Sequence, residues 1–377
     1  MEDLLTENYE ASQRKTKRTM LFFIITTVIF LCLSAIFIIL YVLEKNENGI
    51  NDNKNNNSEP EKEFLDLWRN VSSKNKLTDY IKRITKKGKD FVPKEDRIAV
   101  FDFDGTLFQE TDPMYLDHKL YMYRVLEDPD YKDKATEDQK DLAKRLKELA
   151  DKGESPSLTN EHALLNAEIY ANMSIEEFNN YTKQYIDQPS DGYNNMKKGD
   201  AFYKPMLQVV EYLQKNDFIV YVVTGTDRFT ARVIIEGHID IPKSQIIGTE
   251  ALIVAKNQGN KTGLDYKYNI TDELQFKGEL VRKNLNTNKV YYIMKEIGKR
   301  PILSFGNSGS DSSMAEFTLQ NEYPSLAFMV LCDDLTRERG NEVQAEQMKK
   351  NCDINDWIPI SMRNDWTTIY GDDVTKK

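Results

Sequence analysis

Residues 97-RIAVFDFDGTLFQE-110 run an apolar segment, Ile98 to Phe101, directly into two aspartates spaced two apart, and then into Gly105 and Thr106. Side chains alternate faces along an extended strand, so Asp102 and Asp104 project together while Phe103 points the other way. Two carboxylates that converge at a strand end raise one another's pKa unless a cation or a reacting group lies between them, which points to a metal-dependent site. An Asp-rich turn with glycine in the bend gives the same letters, so partners elsewhere in the chain must decide.

Working outward, the hundred or so residues after this strand read as helical. The segments 138-DQKDLAKRLKELADKG-153, 160-NEHALLNAEIYANM-173 and 175-IEEFNNYTKQYIDQ-188 carry apolar residues at three- and four-residue spacing. Such an insert is too large for a simple crossover and predicts a small helical subdomain. Next come a helix over 205–216, the strand 217-DFIVYVVTG-225, a helix over 227–238 and strand-like pieces over 245–256. A helix from Lys289 to Gly298, the strand 302-ILSFGN-307 and a final strand 324-PSLAFMVLCDD-334 complete the series. Alternating helices and continuously apolar strands predict an α/β fold, a Rossmann-like doubly wound parallel sheet. Upstream, 61–88 has helical periodicity and predicts short helices packed on that domain.

The 377 residues carry a net charge of -10 and show no basic stripe interleaved with aromatics, which argues against a nucleic-acid partner. Met20 to Leu43 is an uncharged apolar run. It is long enough to cross a bilayer core of about 30 Å and longer than a signal-peptide core, so it predicts an N-terminal single transmembrane helix. Arg14, Lys15, Lys17 and Arg18 precede it, which places the N-terminus in the cytoplasm and everything after residue 44 outside it. Six Asn-X-Ser/Thr sites (Asn56, Asn70, Asn172, Asn180, Asn260, Asn269) permit N-glycosylation in a eukaryotic source. Cys332 and Cys352 are open to pairing or to remaining as two thiols.

Sites in open parallel sheets form at the carboxyl ends of strands. Here those ends read Asp102 and Asp104, then Thr224, then Asn307 with Asp311 in 306-GNSGSD-311. In that order these residues resemble the haloacid dehalogenase superfamily of phosphatases: 102-DFDGT-106 is similar to its first motif, Thr224 to its second, a lysine at a helix start to its third, and 306–311 to its acidic fourth. Segments 68–85, 123–131 and 362–370 resemble a bacterial-type extracytoplasmic subgroup, so the likeness spans roughly residues 65 to 371.

The resemblance implies Asp102 as nucleophile, Asp104 as general acid and base, and Thr224 with a lysine on the transferring phosphoryl oxygens. Lys289 is preferred as that lysine over Lys277 and Lys283, and backbone N–H groups at Phe103 and Gly225 complete the phosphate cradle. Mg²⁺ is the implied cofactor, held by Asp102, the Asp104 carbonyl, Asp311 and Asn307. The family more often has Asp where Asn307 stands, which removes one negative charge. An aspartate at position 104 argues against carbon–halogen cleavage. Glu110, Asp112 and Tyr115 are candidate substrate contacts or hinge residues, whereas His118, His162 and His238 fall outside any catalytic pattern.

The implied organisation is a cytoplasmic tail (1–19), a transmembrane helix (20–43), a linker (44–60), a catalytic core (61–107 and 200–377) and a helical cap (108–199) inserted after the first motif. The implied activity is Mg²⁺-dependent hydrolysis of a small phosphorylated metabolite. Transfer to another acceptor, or a binding ectodomain whose turnover was lost through Asn307, are the competing expectations.

Overall fold

The computed structural model describes residues 64–110, 112, 114–152 and 159–377. The expected tail, transmembrane helix and linker lie outside these. Among the described residues no helix is long and apolar enough to cross a membrane.

Helix α1 (Ser72–Thr85) buries Leu77, Tyr80, Ile81 and Ile84, the apolar positions set by a 3.6-residue period. It is one helix where short ones were expected, and the turn before it sets Trp68 edge-on to Trp366 with ring centroids 5.9 Å apart. Strand β1 (Ile98–Phe101) is buried at every residue, as a parallel strand covered on both faces must be. Four helices follow: α2 (Leu116–Leu126), α3 (Glu137–Lys152), α4 (Thr159–Glu168) and α5 (Ile175–Ile186). Ser174 and Glu177 form a reciprocal capping box that starts α5. After a two-residue strand β2 (Tyr193–Asn194) come α6 (Lys204–Lys215), β3 (Ile219–Asp227), α7 (Arg228–Ile235), β4 (Ile246–Ala255) and β5 (Leu274–Arg282). The chain closes with α8 (Thr287–Tyr292), β6 (Leu303–Gly306), α9 (Ser312–Leu319), β7 (Leu326–Leu331), α10 (Glu342–Asn355), β8 (Ile358–Ser361), α11 (Met362–Asp365) and β9 (Thr375–Lys376).

Seven strands form one sheet in the order β5-β4-β3-β1-β6-β7-β8. All neighbours are parallel except β4 and β5. The expected wholly parallel sheet therefore gains an antiparallel edge strand, β5, and β7 is not the last strand because β8 extends the other edge. Both additions are edge strands with weak signals: β5 carries Lys277, Glu279 and Arg282 on a half-exposed ribbon, and β8 contains Pro359, which only an edge tolerates. The helix expected from Lys289 to Gly298 begins at Thr287 and widens into a π turn over Ile293–Ile297.

Register brings the site together. Phe101 pairs with Val222 on β3 and with Phe305 on β6, so β1 and its two neighbours end side by side. The same pairing stacks Phe101 on Phe305 (4.3 Å) and Phe305 on Phe328 (4.9 Å) across β1, β6 and β7, a same-face ladder beneath the strand ends. Helices α2 to α5 share a second apolar cluster in which Tyr121, Leu142, Leu146 and Phe178 meet Ala251 and Phe276 of the β4–β5 pair. Cys332 and Cys352 are not joined by a disulfide.

Candidate active site

The turn after β1 is tightly made. The Asp102 N–H donates to the Phe305 carbonyl at 2.8 Å, the last rung toward β6, and the Phe103 carbonyl then accepts from the N–H groups of Thr106, Leu107 and Phe108. Gly105 adopts φ +76°, and a Cβ there would collide with the Asn307 amide and the Glu110 carboxylate. Asp102 and Asp104 both face a cavity of about 210 Å³. Phe103 turns the other way and stacks on Phe108 at 5.0 Å, so its side chain takes no part in the site.

Lys289, on the first turn of α8, is fully buried. Its Nζ lies 2.5 Å from Asp102 Oδ1 and 2.6 Å from Asp311 Oδ1. Burial pushes the Lys289 ammonium down, but the two carboxylates outweigh it and hold its pKa above the usual lysine value. Burial, reinforced by Asp311, pushes Asp102 up to about 7 against the pull of Lys289. Of the other candidate lysines, Lys283 lines the cavity, while Lys277 sits on β5 and is not part of the wall.

At the end of β3 the expected phosphate ligand Thr224 is fully buried, and its hydroxyl accepts from the Thr226 N–H at 3.0 Å. Gly225 and Thr226 form the wall instead. Thr226 is a residue that the sequence reading missed: its hydroxyl donates to Asp104 Oδ2 at 2.6 Å. Burial and the nearby Asp117 carboxylate push Asp104 well above its ordinary range, and the Thr226 hydrogen bond only partly opposes them. The signal for Thr226 was available in the period-2 rule, which puts residues 224 and 226 on one face of the strand.

The loop after β6 carries the other two expected metal ligands. Asp311 was expected to ligate metal directly, yet it is fully buried with both carboxylate oxygens engaged. Oδ1 meets Lys289, and Oδ2 accepts from the Asn307 and Ser308 N–H groups at 3.1 and 3.0 Å. It orders the loop and holds the lysine. Asn307 does face the cavity, and its Nδ2 donates to Glu110 Oε2. Glu110 Oε1 accepts from the Tyr115 hydroxyl at 2.7 Å, while Asp112 turns inward to take a hydrogen bond from Ser190 Oγ at 2.7 Å. Strand end, loop and the segment leading into α2 are thus tied through Glu110.

A model of the haloacid dehalogenase-like hydrolases matches residues 99–316. The chain belongs to that family. No curated protein matches it. Among solved structures this hydrolase is similar to a protein of unknown function from Anaerococcus prevotii (12% identity, 76% of this chain and 90% of that one, TM-score 0.47). It is also similar to cytosolic 5'-nucleotidase IIIB (14%, 79% and 88%, TM-score 0.44) and to a protein of unknown function from Bordetella pertussis (14%, 70% and 97%, TM-score 0.42). Family membership rests on the sequence match, and likenesses of this size add nothing to it. Within the hydrolase, His238 stacks on Phe202 at 4.7 Å, whereas His118 and His162 are buried ring against ring at 4.1 Å, and His118 reaches the cavity wall.

Proposed function

We propose that this hydrolase cleaves a small phosphomonoester through an aspartyl-phosphate on Asp102. The observation that carries the reading is the buried Lys289 ammonium held between Asp102 and Asp311 while Asp102 and Asp104 share one cavity wall.

Asp102 attacks phosphorus, the bond from phosphorus to the ester oxygen breaks, and the departing alkoxide takes the proton of Asp104. Burial pushes the Asp104 carboxyl up, toward the protonated form that an acid needs at that moment, and the Thr226 hydroxyl engages Oδ2 and leaves Oδ1 for the proton. The same carboxylate, now ionised, then accepts a proton from the water that hydrolyses the acyl-phosphate. Lys289 lies beside the nucleophile, where it neutralises charge on the transferring group. In this reading the wall N–H of Gly225 also meets a phosphoryl oxygen.

The wall fits a hard divalent cation: Asp102, Asp104 and Asn307 offer oxygen donors, and burial, reinforced by neighbouring carboxylates, pushes both aspartates up in its absence. Mg²⁺ there would supply the positive charge that lets a phosphate dianion approach Asp102. Helices α2 to α5 are read as a cap that closes the cavity from water and chooses the leaving group. The apolar run 20–43 is read as an anchor that leaves the catalytic region outside the cytoplasm.

The test is release of phosphate from an aryl phosphate by the purified chain, with and without Mg²⁺. Metal-dependent release supports the reading, and none from a folded, Mg²⁺-saturated chain across aryl and alkyl phosphates argues for a binding domain.

A further inference from the structure

Beside the carboxylate centre lies a group of different chemistry. Asp117 and His118 open α2, and His162 projects from α4. One carboxylate oxygen and one nitrogen from each ring lie within 4.8 Å of one another. All three side chains are buried, at 6%, 6% and 1% exposure.

Ring packing explains part of the arrangement: His118 and His162 meet at 68°, and Tyr121 lies 5.3 Å from His162. It leaves the nitrogens unexplained. Every neutral imidazole carries one N–H and one lone pair, and His162 Nδ1, His162 Nε2 and His118 Nδ1 are buried without a hydrogen-bond partner. The Asp117 carbonyl approaches His162 without reaching hydrogen-bond geometry. A buried polar atom left without a partner is costly, so a protein that places three together gains from whatever satisfies them. Lys283 faces the group and opposes a cation, but it is itself faced by Asp117, Asp104 and Asp227.

We propose that Asp117, His118 and His162 form a second metal centre, which takes a borderline divalent transition ion such as Zn²⁺. Two imidazoles and one carboxylate suit that ion class, whereas Mg²⁺ prefers oxygen alone. Three protein ligands leave a coordination position open. Because Asp117 and His118 both line the cavity, that position faces the space where a substrate's leaving group would lie. The centre is separate from the set around Asp102, and only the placing of its open position at a leaving group rests on the phosphatase reading.

The test titrates the chelator-stripped full-length chain with Co²⁺ and then Zn²⁺. The expected result is visible d–d absorption that marks nitrogen ligation and is bleached by Zn²⁺. His118→Gln and His162→Gln should each weaken Co²⁺ binding at least about 10- to 100-fold, the range already seen for loss of an outer partner, while Asp102→Asn should leave it intact. A second arm needs no variant. The chain has three histidines, and saturating Zn²⁺ should move the ring-proton NMR signals of two and leave His238 in place. Unmoved histidine signals in the folded chain would overturn the proposal, as would a Co²⁺ signal lost in Asp102→Asn.

Discussion

Lys289 Nζ stands 2.5 Å from Asp102 Oδ1 with its ammonium wholly buried, so the proposed nucleophile and its cation form one unit inside the protein. Such a pair costs desolvation on both sides and is costlier still to break, because the survivor keeps a buried charge. Lys289→Met leaves Asp102 and Asp311 facing one another. It should lower stability by about 3–5 kcal/mol in urea unfolding and reduce turnover about 10²- to 10³-fold. A stable, active Lys289→Met protein would remove the lysine from the account.

Asp102 makes the stability of the metal-free protein depend on pH. Its carboxyl sits at about 7 when folded against 3.8 unfolded, so between those values the folded state holds more protons. Stability therefore falls as pH rises through that window and levels off above it. Thermal melts of the chelator-treated chain should show this decline, and Asp102→Asn should show less of it. Equal slopes in the two proteins would contradict the assignment.

Thr226→Val removes the hydroxyl that donates to Asp104 while keeping the shape of the side chain. A hydrogen bond to a neutral group is worth about 0.5–1.5 kcal/mol, so kcat should fall about 2- to 10-fold with little change in folding. That hydrogen bond holds the Asp104 pKa down, so its loss should move the limb of the pH–rate profile assigned to Asp104 upward.

Asn307→Asp would seem to restore a missing negative charge, yet the asparagine amide donates to the Glu110 carboxylate. Two carboxylates would then meet across Gly105 without the amide N–H that now links the two side chains. The single substitution should destabilise the chain by about 1–3 kcal/mol, and Asn307→Asp with Glu110→Gln should recover most of the loss. A double-mutant cycle on unfolding free energies measures the coupling, and simple additivity would rule out the contact.

Much of this was legible in the sequence because burial on both faces forces continuous apolar strands, and β1, β3, β6 and β7 have them. Asp102 and Asp104 were legible for the same reason, since a strand of known direction fixes where the next side chains point. Edge strands β5 and β8 were not, because an edge imposes no such pattern. The period-2 rule put Thr224 and Thr226 on one face of β3 but did not fix which of the two hydroxyls the strand's own end would use. The pairing of His118 with His162 depends on how α2 and α4 pack, and no local spacing records that.

The central claim, that Asp102 carries the phosphoryl group, is met most directly by acid-quenching the Mg²⁺-loaded chain during turnover of an aryl phosphate and mapping the adduct by peptide mass spectrometry. The account predicts a phosphate on the peptide containing Asp102, absent in Asp102→Asn together with turnover. Metal-dependent turnover that persists in Asp102→Asn would contradict it.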